Sequence, residues 1–258
     1  MMNEKRNDEP KTSWGGVAEW YDALLEKEGT YQKDIILPNL LRILKIQKGE
    51  ALLDLGCGPG FFAREFFKHG AHVIGVDVSR DLVAIAQKNS PDGIAFHASP
   101  AHRLPFIENE SVDKIVLILA LQNMDDPQGV LKECRRVLKS GGKIFIVMNH
   151  PAFRIPQRSS WDWDAKQKMQ YRRIDGYLSE SKAKIQMHPG ADAQVHTISY
   201  HRPLQFYFKA LEKNQILVSR LEEWISHKKS ALGPRASAEN RIRKEIPLFL
   251  FLEGVKLK

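Results

Sequence analysis

Apolar runs and amphipathic stretches alternate over the first 150 positions of the chain. The sequence predicts strands at 51–55, 71–76, 94–97, 114–121 and 142–148, separated by helices at 61–69, 79–89 and 126–138. The run at 114–121 is almost continuously apolar, which is typical of a strand that is covered on both faces. Strands that alternate with helices predict a parallel sheet with right-handed crossovers.

The pattern differs on both sides of this region. Two amphipathic helices are predicted at 14–28 and 31–44, and residues 1–13 are polar and are expected to be disordered. Residues 151–200 contain no strand–helix–strand unit but are rich in aromatic and basic residues. Within them, 184–188 and 194–200 flank Pro189–Asp192, which predicts a β-hairpin. A helix from Pro203 to about Asn214 and two final strands at 215–221 and 247–255, expected to be an antiparallel pair, complete the chain.

Composition sets outer limits on the class of protein. A chain of 258 residues with 43% hydrophobic content is large enough for one well-packed domain. It has no apolar stretch of about 18 residues, so no transmembrane helix is expected, and its N-terminus does not resemble a signal peptide. The two cysteines, Cys57 and Cys134, form neither a disulfide framework nor a zinc-site spacing, so no metal is expected. We therefore expect a cytoplasmic protein.

The most specific pattern lies at 51–62, where an apolar run ends at Asp54 and glycines follow at alternate positions. Gly56, Gly58 and Gly60 lack a Cβ, so a ligand can approach the backbone closely at the start of the next helix. A dinucleotide site would need the spacing G-x-G-x-x-G, and a carboxylate before the glycines would repel a pyrophosphate. Asp77, at the end of the second strand, can accept hydrogen bonds from ribose hydroxyls. A nucleoside that carries a positive charge fits both carboxylates, which favours S-adenosylmethionine.

These segments resemble a known family. Leu52–Phe62 and Val73–Asp77 resemble motifs I and II of class I S-adenosylmethionine-dependent methyltransferases. Further segments resemble the small-molecule branch that includes ubiquinone-biosynthesis-like enzymes, the methyltransferase domain 11 type: Leu104–Phe106, Ser111–Asp113, Leu119–Pro127 and Leu138–Lys143. The resemblance covers roughly residues 48–150.

The pattern and the resemblance together predict an α/β fold. We expect a Rossmann-like, doubly wound, seven-stranded sheet, mostly parallel with a C-terminal antiparallel strand, and an insertion after strand five. Residues 14–258 would form a single methyltransferase domain. Its parts are N-terminal helices (14–47), a cofactor-binding core (48–150), a substrate lid (151–200), and the last helix and strands (201–258).

The resemblance also implies roles at the cofactor site. Asp54 and Gly56 would face the methionine end, Gly58 would give backbone approach, Asp77 would hold the ribose, and Val78 would flank the adenine. The other expected cofactor-binding residues are Tyr21, Gly60, Ser99, Ala101, Ala120 and Leu121.

Two of these assignments leave alternatives open. Many relatives have an acid at the position of Pro100, so Ser99 and the Ala101 amide would have to substitute for its contact with the adenine. Tyr21 resembles a tyrosine that closes over the methionine in some relatives, but it is equally typical of a core aromatic on an amphipathic helix.

Methyl transfer from a sulfonium is an in-line displacement, so the protein must mainly align the reacting groups. A base is needed only if the acceptor must lose a proton. Gln122 and Asn123 stand where relatives have a pair of histidines, so no base is expected there. His150, after strand five, and His201, in an element that resembles one found in several small-molecule relatives, are the catalytic candidates. The alternative for each is a structural histidine.

Charge is distributed unevenly along the chain. Residues 1–149 carry 19 basic and 20 acidic residues, whereas residues 150–258 carry 20 basic and 11 acidic residues. The asymmetry predicts an anionic acceptor or a nearby polyanion, and the alternative is a solvated basic surface. The arginines expected to bind substrate are Arg154, Arg172, Arg173 and Arg202.

The sequence therefore predicts an enzyme that transfers a methyl group from S-adenosylmethionine to a small molecule that is anionic or partly aromatic. One alternative is an RNA methyltransferase that uses the basic loop at 227–245, although that loop lacks the interleaved aromatic residues that stack on bases. Another is a non-catalytic, cofactor-binding assembly or sensor protein. The oligomeric state and the methylated atom are left open.

Overall fold

A central sheet with helices on both faces organises the chain. The computed structural model describes Trp14, residues 17–186 and residues 196–258. The strands are β1 (Ala51–Leu55), β2 (His72–Asp77), β3 (Ala95–Ala98), β4 (Val112–Ile118), β5 (Leu138–Asn149), β6 (Ser159–Asp164), β7 (Met169–Ile174), β8 (Ser181–Gln186), β9 (His196–His201), β10 (Ile216–Trp224) and β11 (Phe249–Lys256).

The helices are α1 (Ala18–Glu26), α2 (Leu37–Leu44), α3 (Phe61–Lys68), α4 (Arg80–Asn89), α5 (Pro127–Val137), α6 (Leu204–Lys213) and α7 (Ala236–Glu245). A π-helical segment at Gln32–Ile36 leads into α2, and a 3-10 turn at Leu121–Asn123 follows β4.

The seven-stranded sheet has the order β10-β11-β5-β4-β1-β2-β3. Strands β1 to β5 are mutually parallel where they pair, and β11 runs antiparallel to both of its neighbours, β5 and β10. The predicted fold class is therefore confirmed, including its antiparallel C-terminal strand. The parallel arrangement brings the carboxyl ends of β1, β2 and β4 to one edge, where open α/β sheets bind ligands.

Burial explains why β4 lies at the centre. Ile115, Val116 and Leu117 are all fully buried, because consecutive side chains enter the cores on opposite faces of the sheet. Val116 belongs to the core that includes residues of helices α1 to α4, and Ile115 and Leu117 belong to the core that includes residues of α5 and α6. The helix starts follow local chemistry, since Ser79 Oγ accepts from Leu82 N at 3.4 Å and Asp126 Oδ1 accepts from Gly129 N at 2.8 Å.

Several predicted elements need correction. Strand β4 ends at Ile118 rather than at 121, because Leu119 adopts a left-handed φ of 54° and the chain turns there. Strand β5 begins at Leu138, immediately after α5, rather than at 142. The β6–β7 hairpin was not predicted, and the interpretation of 227–245 as a loop is wrong because α7 lies within it.

Other expectations fall partly outside the described residues. The predicted hairpin near 184–200 is present as β8 paired with β9, but the turn expected at Pro189–Asp192 lies outside the described residues. So does the disorder expected at 1–13. Across the described ranges, no helix has both the length and the apolar character needed to cross a membrane.

Candidate active site

A cavity of about 850 Å³ opens at the carboxyl ends of β1, β2 and β4. Its walls come from the turn between β1 and α3, the segment after β2, the loop after β4, helix α1 and the β8–β9 hairpin. Pockets that bury a small organic ligand typically measure about 300–1,000 Å³, so this cavity has room for a nucleoside cofactor and an acceptor together.

The three glycines of the β1–α3 turn have different surroundings. A Cβ on Gly56, whose φ is 83°, would lie 2.6 Å from Ala120 Cβ, and one on Gly58, whose φ is 55°, would have Tyr21 Cε1 at 3.6 Å as its nearest neighbour. Both glycines line the cavity. Gly60 is not among the lining residues, and a Cβ there would meet Phe96 at 3.0 Å. Gly60 is thus required by packing and by its φ of 83°, whereas Gly58 leaves space for a ligand.

Asp54 supplies a buried carboxyl group to the cavity. Its side chain lies in β1 and is 1% exposed, and its Oδ2 has no hydrogen-bond partner among the described residues. Burial, with a smaller contribution from Asp77, raises the pKa of Asp54 to about 7. An unpaired buried carboxylate oxygen is costly, and a cationic ligand group would satisfy it.

Asp77 fastens the glycine turn to the next helix. Its Oδ2 accepts from Gly58 N at 3.0 Å and its Oδ1 accepts from Ser79 N at 2.9 Å. Burial raises its pKa above the usual range for an aspartate. Each oxygen keeps a lone pair for a further donor, so the carboxylate is held at the cavity wall with acceptor capacity left. Val78, which is 63% exposed, also lines this end of the cavity.

Most of the other predicted cofactor residues also line the cavity. These are Tyr21, Ser99, Ala101 and Ala120. Burial raises the pKa of Tyr21 to about 12. Ser99 Oγ already donates to Arg103 O at 2.8 Å. Leu121, by contrast, is fully buried in the core below the cavity and is not among the lining residues.

The structure does not bring either candidate histidine to this cavity. His150 is 4% exposed, its Nδ1 accepts from Ala152 N at 3.2 Å, and its Nε2 donates to Glu223 Oε1 at 2.7 Å. Burial lowers the pKa of His150. His201 is 3% exposed and donates from Nε2 to Tyr177 O at 2.7 Å. Both rings have the contacts of structural histidines.

The candidate arginines do not line the cavity either. Arg172 donates to Phe153 O at 2.8 Å and stacks on Trp161. Arg173 pairs with Asp175, and Arg202 is 5% exposed and bonds to backbone carbonyls. Arg154 and Arg202, with His201, line a separate cavity of only about 20 Å³. Residues 150–258 thus carry the excess of basic residues, but these four arginines do not lie around the main cavity.

Sequence reasoning missed several residues that line the opposite end from Asp77. They are Asn123 and Met124 after β4, and Lys182, Ile198 and Tyr200 in the β8–β9 hairpin. We refer to this part of the cavity as the acceptor end, and to the part lined by Asp54, Gly56, Gly58, Asp77 and Val78 as the cofactor end. The β6–β7 hairpin contributes no lining residue, so among the described residues of the predicted 151–200 lid it is the β8–β9 hairpin that reaches the cavity.

The residues of the cofactor end fit the chemical groups of S-adenosylmethionine. The unpaired Asp54 Oδ2 suits the ammonium group, the open side of Gly58 admits the ligand to the backbone, and Asp77 offers two acceptors for the ribose hydroxyls. The charge of the site favours a cation, because two carboxylates face the cavity at this end.

Comparison with known proteins agrees with this reading. Residues 53–146 match the family described as methyltransferase domain. Over 88% of the chain, the fold superposes on all of an S-adenosylmethionine-dependent methyltransferase from Mesorhizobium loti, with a TM-score of 0.70 and 26% identity. Residues 53–146 thus carry a methyltransferase domain of this family, and the fold is that of an S-adenosylmethionine-dependent methyltransferase. Family and fold imply S-adenosylmethionine as the cofactor.

Two curated relatives are also similar. A demethylmenaquinone methyltransferase from Paenarthrobacter aurescens is 31% identical over 149 residues, which cover 57% of this chain and 58% of the relative. A ubiquinone biosynthesis O-methyltransferase from Coxiella burnetii is 32% identical over 118 residues, which cover 43% of this chain and 50% of the relative. The chain thus matches only about half of the length of these relatives.

Proposed function

We propose that the protein transfers a methyl group from S-adenosylmethionine to a small aromatic acceptor that carries a hydroxyl or another nucleophilic group. One observation carries the proposal. The buried Asp54 Oδ2, which has no hydrogen-bond partner among the described residues, lies with Asp77 at one end of a cavity, and the other end has room for a second molecule.

At the cofactor end, this chain's residues bind and orient. Asp54 would take the ammonium group, Asp77 would take the ribose hydroxyls, and Val78 would contact the adenine. S-adenosylmethionine, when bound, supplies an activated methyl group, so alignment is the main requirement. Tyr21 and Trp14, whose ring centroids are 5.3 Å apart, line the cavity from the N-terminal side and would exclude water from it.

At the acceptor end, the lining favours an aromatic ring. Met124, Ile198 and Tyr200 supply apolar and aromatic surface. The two curated relatives are named for demethylmenaquinone and for ubiquinone biosynthesis, which supports a ring of quinone type. Lys182, from the basic half of the chain, also lines this end and would favour an acidic hydroxyl or a carboxylate on the side of the acceptor that faces the hairpin, whereas Asp125 and Asp126 line the cavity from the loop after β4.

The β8–β9 hairpin is the part of the insertion that we propose as a lid. It carries Lys182, Ile198 and Tyr200 to the cavity, and β9 pairs with β8 rather than with the central sheet. The β9 end of the hairpin is held by the buried contacts of His201 and Arg202, so the hairpin would cover the acceptor end as a fixed wall.

Incubation with methyl-labelled S-adenosylmethionine and a panel of acceptors tests the proposal. The panel should contain hydroxylated naphthalenes and benzenes, each with and without a carboxylate, and total RNA with and without ribonuclease. We expect label on the hydroxylated aromatic compounds, with a preference for those that carry a negative charge. Ribonuclease-sensitive label alone would instead establish the RNA alternative.

A surface variant separates these outcomes further. Charge reversal of Lys228, Lys229, Arg241 and Arg243 should leave turnover of a small acceptor within a few-fold, because none of the four lines the cavity. A variant that binds cofactor but labels no acceptor would contradict the small-molecule proposal. An absence of label with native protein, despite tight cofactor binding, would support the non-catalytic alternative.

A further inference from the structure

The segment Tyr200–Leu204 contains one residue that lines the main cavity, Tyr200, and several that lie behind it. Arg202 is the most heavily engaged of these. Its side chain is 5% exposed, and its Nη2 donates to Met124 O at 3.0 Å and to Asp125 O at 3.1 Å. Met124 and Asp125 both belong to the cavity wall. One buried guanidinium thus holds two consecutive carbonyls of the loop that follows β4.

The same guanidinium also contacts the hairpin and the next helix. Its central carbon lies 4.6 Å from the ring centroid of Tyr200 and 5.3 Å from that of Phe206. Its Nε lies 3.8 Å from Glu180 Oε2, just before β8. A planar, forked donor that also stacks on aromatic rings can make all of these contacts, and a lysine ammonium cannot.

The residues around Arg202 fasten the segment on its other sides. His201 Nε2 donates to Tyr177 O at 2.7 Å, and Tyr177 Oη accepts from Leu204 N at 3.0 Å. These two contacts fix the chain on either side of Arg202. The backbone that carries Tyr200 into the cavity is therefore held by the buried contacts of its neighbours.

Arg202 joins the two walls of the acceptor end. One wall is the loop with Met124 and Asp125, and the other is the hairpin with Tyr200. None of the contacts described above reaches Asp54 or Asp77. A change at Arg202 should therefore alter the position of the acceptor relative to the cofactor without altering the cofactor end itself.

We propose that Arg202 is a positioning residue for methyl transfer, which fixes the spacing of the two acceptor walls. The proposal rests on the function proposed above. Misplacement of a bound reactant by about 1 Å can cost about a hundredfold in rate, so a loosened wall should be visible in turnover.

The test uses the full chain with Arg202→Lys and Arg202→Met, and Arg136→Lys as the matched control. Arg136 also donates to two backbone carbonyls, Ile107 O at 2.9 Å and Leu104 O at 2.8 Å, but none of these three residues lines the cavity. With the acceptor found in the panel, Arg202→Lys should lower kcat/KM for the acceptor by about tenfold to a hundredfold. Its affinity for S-adenosylhomocysteine, measured by calorimetry, should stay within twofold, and Arg136→Lys should change neither quantity more than twofold.

A second readout does not depend on any acceptor. Hydrogen exchange with S-adenosylhomocysteine bound should speed up at 119–126 and 196–201 in both Arg202 variants, with 51–58 and 72–77 unchanged. If no acceptor is ever found, this measurement still decides the proposal. Unchanged exchange at 119–126, or a loss of S-adenosylhomocysteine affinity as large as the loss of turnover, would overturn the positioning role.

Discussion

The two ends of the cavity are built in different ways. The cofactor end consists of short segments at the ends of β1 and β2, and its key contacts join residues about 20 positions apart, such as Asp77 with Gly58 at 3.0 Å. The acceptor end joins residues that are far apart in the chain, such as Arg202 with Met124, which are separated by 78 positions. Local sequence patterns therefore predict the residues of the cofactor end, whereas the residues of the acceptor end come together only through the tertiary fold.

We expect the largest effect on ligand binding from removal of the Asp77 carboxylate, which would bind the ribose and which also accepts a hydrogen bond from the glycine turn. Asp77→Ala should weaken binding of S-adenosylhomocysteine by about 1.5–3 kcal/mol, the usual range for hydrogen bonds to a charged group. It also releases Gly58 N and Ser79 N from their acceptor. Calorimetry at pH 7.5 measures the loss, and Asp113→Ala, which lies at the opposite edge of the sheet beside Ala51 N, is the control. Native affinity in Asp77→Ala would remove the basis of the cofactor end.

Replacement of Asp54 should stabilise the free protein but weaken its binding of the cofactor. Its pKa of about 7 in the folded, free protein lies above its usual value, so the folded state holds a proton that the unfolded state has released. The free energy of unfolding should therefore fall as pH rises from about 4 to about 7, by up to about 1.4 kcal/mol per pH unit. Asp54→Asn should reduce this fall and raise the Tm of the free protein at pH 7.5, and Asp77, whose pKa burial also raises, should account for part of the fall that remains.

The same substitution should weaken cofactor binding by about tenfold or more, because the ammonium loses its charged partner. In native protein, affinity should rise with pH up to about 7, and binding at pH 6 should release a proton that calorimetry in two buffers detects. Binding at pH 6 that releases no proton in native protein would contradict this role for Asp54.

A pair of glycine variants sharpens the comparison within one turn. Gly58→Ala should weaken binding of S-adenosylhomocysteine at least tenfold, since its Cβ would enter the open side of the cavity. Gly60→Ala should leave that affinity within about twofold and lower the free energy of unfolding by about 1–3 kcal/mol, because its Cβ would press on Phe96 at 3.0 Å. Denaturant unfolding and calorimetry separate the two. Loss of affinity in Gly60→Ala, with loss of stability alone in Gly58→Ala, would contradict the roles given to these two glycines.

The smallest effect on chemistry is expected from the two histidines. His150→Gln should change kcat by no more than a few-fold once the protein is folded, because its ring lies outside the cavity. His201→Gln should lower kcat by no more than about tenfold, since its ring also lies outside the cavity and its hydrogen bond to Tyr177 O only helps to hold the Tyr200 segment. A general base contributes about a hundredfold to ten-thousandfold, so a loss of that size with an unchanged Tm would reinstate either histidine as a base.

The sheet was predictable from the sequence, as was the gathering of Asp54, Gly58 and Asp77 at one end of the cavity, because both depend on local patterns. The alternation of apolar runs with helices predicted the order of strands and helices up to β5, and the glycine spacing with Asp54 and Asp77 predicted where a nucleoside would bind. The prediction of Gly60 as a ligand residue differs from its placement, because its role depends on Phe96, which is 36 positions away.

The acceptor end was not predictable in the same way. His150, His201 and the arginines are residue types that favour substrate roles, but their burial and their pairing with Glu223, Tyr177 and backbone carbonyls are properties of the fold. No pattern in the neighbouring sequence marks Lys182 and Ile198 as cavity residues, because the tertiary fold decides where the β8–β9 hairpin lies. Tyr200 had a signal in the Tyr200–Leu204 element, but the element was read for its histidine and arginine.

A crystal structure of the full chain with S-adenosylhomocysteine is the most direct test of the central claim, which is that one cavity holds cofactor at the Asp54 and Asp77 end and acceptor beside Met124 and Tyr200. We predict the ammonium within hydrogen-bond distance of Asp54, the ribose hydroxyls on Asp77, and the sulfur facing the acceptor end. A ligand bound outside this cavity, or bound within it with the ribose away from Asp77, would contradict the account.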